Sequence, residues 1–160
     1  MIDLKCQPLT AEAFAQFGDV IEVNGPPHKL INAGKCGRHH DLARLDFRGG
    51  RAGISLFDAE IRSLPYILDL MERHPDGSQA FIPMAHVPFL VTVAPDEGDR
   101  PGTPLAFMTR AGQGINLHRG IWHGVLTPLH LPGLFAVVDQ IGDSANLEEV
   151  SLDPPFRVVP

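Results

Sequence analysis

The sequence predicts a mainly β protein with one short helix near its start, and three observations carry that reading. Short β-prone runs recur along most of the chain, each bounded by Gly, Pro or Asp. Sixteen Gly and fifteen Pro punctuate 160 residues at intervals that suit the turns of a sandwich or barrel better than the crossover helices of an α/β fold. Only one stretch carries both a helix start and a helix stop.

That stretch comes first. Thr10 is placed as an N-cap, Ala11 to Phe17 follow with Phe14 and Phe17 on one face, and Gly18 ends the helix. Strands are expected over Asp19 to Val23, Arg51 to Asp58, Gln79 to Met84, Val87 to Val93, Leu105 to Thr109 and Phe135 to Ile141. Leu64 to Arg73 fits two patterns. Leu64, Ile67, Leu68 and Met71 make a helical stripe, but Pro65 and the His74-Pro75 break favour a strand. Pro95 to Pro104 is a polar surface connection, and Asp153-Pro154-Pro155 is expected to end the regular structure, with Phe156 to Pro160 docked or loose.

The length fits one domain spanning residues 1–160, within the usual range of roughly 100 to 200 residues. A net charge of −6 and the lack of a basic patch argue against a nucleic-acid surface. No apolar run approaches the ~20 residues that span a bilayer, and no basic-then-apolar leader opens the chain, so a cytoplasmic protein without membrane partners is expected. Cys6 and Cys36 form no Cys-x-x-Cys pair and read as buried or incidental thiols.

In the strand reading, Leu68, Leu70, Glu72 and His74 share one face, because side chains alternate with period two. A carboxylate and an imidazole beside two leucines mark a pocket, since charged groups are kept off apolar faces unless paired or liganded. Arg73 then points the other way. A turn at Gly77 leads to Gln79 and Phe81, and a later segment, Gly114 to His123, adds His118, Arg119, Trp122 and His123. Of the two imidazoles His123 is chosen for the pocket, because it follows the turn-like Arg119-Gly120. His28, His86 and His130 lie beside Pro or in turns and read as solvent-facing or structural. Asn32, Arg38 and His40 lie close together and could hold a carboxylate, although polar clusters beside Gly are commonly exposed loop.

The spacing Glu72-x-His74-x4-Gln79 with a distant His123 resembles, in part, the ligand pattern of the cupin superfamily. His74 and His123 fall on matching positions, while Glu72 stands where a His and Gln79 where a Glu would be. Glu72, His74, Gln79 and His123 are therefore candidate ligands for a divalent metal such as nickel, zinc, iron or manganese. The alternative is a hydrogen-bonded polar pocket without metal.

Taken together, several segments resemble the ureidoglycolate lyase family. They are Phe17-Gly18-Asp19-Val20-Ile21, Ile31-Asn32 with His40-Asp41-Leu42-Ala43, Glu72-Arg73-His74-Pro75 through Gln79-Ala80-Phe81-Ile82-Pro83-Met84, and Gly114, Asn116, His118-Arg119 and Trp122-His123. The resemblance implies a cupin-like β-barrel of the double-stranded β-helix type, a homodimer, and release of urea and glyoxylate from ureidoglycolate in allantoin (purine) degradation. It also implies a nickel cofactor and no organic one. For such a substrate His74, His123 and Glu72 are the expected catalytic groups. Arg38 or Arg119 would hold the carboxylate, and Asn32, His40, Gln79 and His118 would line the rest. Two rival readings of the same barrel are a non-catalytic module that binds a small acid and a metal-dependent dioxygenase or isomerase.

Overall fold

The computed structural model describes residues 1–160. Its strands are β1 (Ile2–Pro8), β2 (Gly18–Ile21), β3 (Lys29–Ile31), β4 (Cys36–Arg38), β5 (Arg51–Asp58), β6 (Tyr66–Arg73) and β7 (Gln79–Pro83). These are followed by β8 (Phe89–Ala94), β9 (Leu105–Met108), β10 (Gly114–Leu117), β11 (Trp122–His123), β12 (Thr127–Pro128), β13 (Leu134–Ile141) and β14 (Glu148–Val159). One sheet runs β11-β6-β14-β1-β9-β8-β12, and β11 also pairs with β8, so six of these strands close into a barrel. A second sheet, β2-β10-β7-β13-β5, packs against it, and β3 and β4 form a separate hairpin. The mainly β, cupin-like barrel expected from the sequence is what the chain forms.

β8 shows how the two layers share a core. All six of its residues are buried, as expected of a strand covered on both faces. Phe89, Val91 and Val93 join Phe81, Phe107, Ile115, Leu117, Phe135 and Val137 between the sheets. Leu90 and Ala94 join Leu68, Met71, Ala106, Trp122 and Val158 inside the barrel. Alternation along one strand therefore feeds two cores.

The single helix, α1, covers Ala11–Phe14 and is shorter than the expected Ala11 to Phe17. Thr10 caps it as predicted, its hydroxyl accepting the Ala13 N–H at 3.1 Å. The chain leaves the helix early because Phe14 and Phe17 both turn into the core, where Phe14 meets Phe107 edge-on at 5.5 Å. Gly18 is required by close approach rather than as a cap. A Cβ there would lie 2.0 Å from the Asn116 carbonyl oxygen.

Leu64 to Arg73 resolves as strand β6, and the face assignment made for it needs correction. Leu68 and Met71, three residues apart, lie in the same barrel core, so the alternation slips by one between them. Glu72 consequently faces away from Leu68. The slip lies opposite an irregularity in β14, where Ser151 pairs with Leu70 and Phe156 with Leu68. That irregularity also corrects the reading of the tail. The strand runs through Asp153-Pro154-Pro155 instead of ending there, because both prolines fall in residues 152–155, which have no partner on β6 and lose nothing by lacking an N–H. Phe156 to Val159 then pair in parallel with Ile2 to Lys5 of β1. No helix is long and apolar enough to cross a membrane.

Candidate active site

Strand β11 is two residues long, and its pairing sets the site. His123 lies opposite Glu72 on one side and Val93 on the other. Val93 faces the core between the sheets, so His123 and Glu72 face the same way. His74 follows directly after β6, and its carbonyl accepts the Gly120 N–H at 2.9 Å, which ties the two segments at the turn. Gly120 permits that turn with φ of 77°.

Glu72, His74 and His123 offer donor atoms that all lie within 4.8 Å of one another. The two rings sit 5.3 Å apart between centroids, tilted by 40°. His74 Nδ1 contacts the Asn146 carbonyl oxygen at 2.7 Å, and His123 Nδ1 contacts the Gly124 carbonyl oxygen at 3.0 Å. A carbonyl only accepts, so both Nδ1 atoms carry a proton, and in the neutral form of either ring Nε2 presents the lone pair. Both Nε2 atoms are buried without a protein partner. Burial, helped by His74, pushes the His123 imidazole down to about 4, so it is neutral at pH 7. Burial likewise pushes the Glu72 carboxyl up, against the pull of His74. The closest approach of Glu72 to His123 is 3.9 Å, too long for a hydrogen bond.

This donor set fits a divalent metal. Each imidazole has Nδ1 held by a backbone carbonyl and Nε2 buried without a protein partner, the kind of support that orients metal-binding histidines. Gln79, expected as a fourth ligand, donates its amide N–H to Asp139 Oδ2 at 3.1 Å, while its Oε1 is buried without a partner. Among histidine and carboxylate side chains, the converging group is Glu72, His74 and His123.

The expected substrate groups divide. His118 and Arg119 lie beside the His74 segment: Arg119 donates from Nη1 to the Pro75 carbonyl at 3.1 Å and from Nε to Asp46 at 3.0 Å. His118 Nε2 lies 3.3 Å from Asp19 Oδ1. Asn32, Arg38 and His40 belong to another segment. They are exposed on or beside the β3–β4 hairpin, whose pairing is internal, and no hydrogen bond joins them to Glu72, His74 or His123. Their closeness in sequence reflected a shared hairpin, and nothing in the spacing said where that hairpin lies. His28, His86 and His130 are exposed, as expected. Cys6 is half-buried and packs against the barrel core, and Cys36 is exposed.

Sequence reasoning missed the group around Asp19. Its Oδ2 accepts from Asn116 Nδ2 at 2.9 Å and from the Arg44 amide at 3.0 Å. Burial raises this carboxyl, but those bonds and His118 outweigh burial and hold it below the usual carboxylate range. The register that sets Asp19 opposite Asn116 was the missing signal. Arg73, placed on the opposite side from His74, sits over the Trp122 ring at 4.6 Å and pairs with Asp96, Asp99 and Glu148. Trp122 Nε1 donates to Asp96 at 3.0 Å.

Known proteins resemble the chain along nearly its whole length. It is 63% identical to the ureidoglycolate lyase of Rhodobacter capsulatus over 156 residues, covering 97% of each chain. It is 50% identical to ureidoglycolate lyase 2 of Rhizobium meliloti and 49% identical to the ureidoglycolate lyase of Mesorhizobium japonicum, in both cases over 99% of this chain and 98% of the relative. With the ureidoglycolate lyase family's sequence model matching residues 1–159 as well, the chain belongs to the ureidoglycolate lyase family.

Proposed function

We propose that the protein is a lyase that cleaves ureidoglycolate to glyoxylate and urea, a cytoplasmic enzyme of allantoin degradation that acts as a homodimer. Membership of the family supports the reaction. The observation that carries the site assignment is the pair of buried imidazole Nε2 atoms, without protein partners, beside Glu72. The homodimer is supported by edge strand β5, which carries Ile54 at 77% and Leu56 at 63% exposure on a sheet face that a second copy would cover.

The reaction needs only proton transfers. The substrate carbon bears a hydroxyl, a carboxylate and a ureido nitrogen. Loss of the hydroxyl proton forms the carbonyl of glyoxylate as the carbon–nitrogen bond breaks, and the departing nitrogen takes up a proton to give urea. The unpartnered Nε2 of His74 suits the first transfer, and the carboxyl of Glu72, raised by burial, suits the second. The same three side chains would hold a divalent ion, nickel being the one the family resemblance implies, and a bound ion would polarise the hydroxyl oxygen. Arg119 and His118 flank the His74 segment on the substrate side, and the Oε1 of Gln79 remains available to a ureido N–H.

Purified protein incubated with ureidoglycolate, with and without chelator, should release urea and glyoxylate in equal amounts. His74→Ala should cut turnover at least about a hundredfold with the fold intact by circular dichroism. Near-normal turnover in that variant removes the triad from the mechanism. Binding of glyoxylate without urea release would favour a small-acid-binding module instead.

A further inference from the structure

The slot beside His123 between the sheets measures about 20 Å³, room for about one water and too small for a molecule with both a carboxylate and a ureido group. A second cavity, of about 260 Å³, is lined by Arg44, Asp46, His118 and Arg119, with no apolar wall. It is tied to the His74 segment through the Arg119 bond to the Pro75 carbonyl and the Gly120 bond to the His74 carbonyl.

The charges in this cavity do not cancel. Arg119 spends Nε on Asp46 and Nη1 on Pro75, leaving Nη2 without a protein partner. Asp19 faces His118. Arg44 has its backbone fixed at both ends, its N–H on Asp19 at 3.0 Å and its carbonyl accepting from Asn116 at 3.0 Å. Its guanidinium makes no hydrogen bond or close ion pair, and Asp46 is the one carboxylate lining the cavity against two guanidinium groups, so one positive charge is left over. A backbone pinned by a buried Asn and a carboxylate, carrying an exposed guanidinium without a close partner, suits the capture of an anion.

We infer that this cavity holds the substrate's carboxylate, with Arg44 and Arg119 as its two guanidinium arms and the Asp19-oriented His118 as a third donor. This assignment rests on the lyase reading above and replaces Arg38 by Arg44 in the role the sequence suggested. The hydroxyl and ureido groups of the bound acid then lie toward His74.

The probe is glycolate, which carries the carboxylate and hydroxyl but has no leaving group. For Arg44→Gln, KM for ureidoglycolate and the glycolate inhibition constant should both rise about tenfold or more, while kcat falls by roughly threefold at most. Arg44→Lys should recover part of the loss, and Arg62→Gln, an exposed arginine before β6, should leave all constants unchanged. Unaltered KM and glycolate inhibition in Arg44→Gln overturn the assignment. If the wild-type protein releases no urea, the lyase reading fails separately. Calorimetry then decides the cavity: glycolate binding that Arg44→Gln loses supports it, and equal binding or none by either protein overturns it.

Discussion

His123 gives the most direct physical test of the site. Its ring is fully enclosed, and burial lowers its pKa from 6.5 to about 4. Well above pH 6.5 the folded and unfolded chains both hold it neutral, and it adds no pH dependence. Between pH 6.5 and 4 the unfolded chain takes up a proton that the folded chain refuses, so stability is lost as pH falls through that window. A difference of about 2.5 units at 1.36 kcal/mol each amounts to ~3 kcal/mol, of which ~2 kcal/mol is lost between pH 7 and pH 5. The assay is urea denaturation of chelator-treated protein at pH 7 and pH 5, comparing wild type with His123→Gln. The glutamine has no proton to gain, so subtraction removes the contribution of Asp19 and the other carboxylates. Wild type should lose ~2 kcal/mol more than the variant over this interval. Parallel losses within about 0.5 kcal/mol, or a His123 ring resonance titrating near 6.5, would refute the claim that this imidazole is held neutral by burial.

Two further outcomes follow from the packing. Arg73→Met should lower stability by about 1–3 kcal/mol in urea denaturation, less than a fully buried ion cluster would cost because its acidic partners are 44–86% exposed. The sole tryptophan, Trp122, lies under that guanidinium, so its fluorescence should shift in the same variant. Gly18→Ala should cost at least about 2 kcal/mol, a fall of about 4–8 °C in Tm, since its Cβ would lie 2.0 Å from the Asn116 carbonyl oxygen; an unchanged Tm would mean that β2 and β10 part without penalty.

What the sequence disclosed was local or carried by side-chain chemistry. Thr10 announced its cap, Arg51 to Asp58 its strand, and Glu72, His74 and His123 their convergence, because charged and imidazole groups among apolar neighbours need a shared destination. What stayed hidden depended on partners distant in the chain. Asp19 gains its role from Asn116, reached only through the β2–β10 register. Pro154 and Pro155 stop nothing, because β6 offers no partner to the four residues around them. The face of Glu72 was inferred through an alternation that slips between Leu68 and Met71, so the pocket was right while one step toward it was wrong.

That slip has a mechanical consequence. Across the β6–β11 pair, neighbouring residues point to opposite sides: Glu72 and His123 toward the gap between the sheets, Met71 and Trp122 into the barrel. Arg73 stacks on Trp122 and gathers Asp96, Asp99 and Glu148 beside it. β11 has only two residues and few ladder hydrogen bonds of its own, so backbone pairing alone holds it weakly. Trp122, packed in the barrel core on one side of that short strand, fixes the backbone that presents His123 on the other. The ion cluster and the imidazole pair are thus two faces of one joint. The charge cluster supplies rigidity, and the unpartnered nitrogens on the opposite face are left free for chemistry.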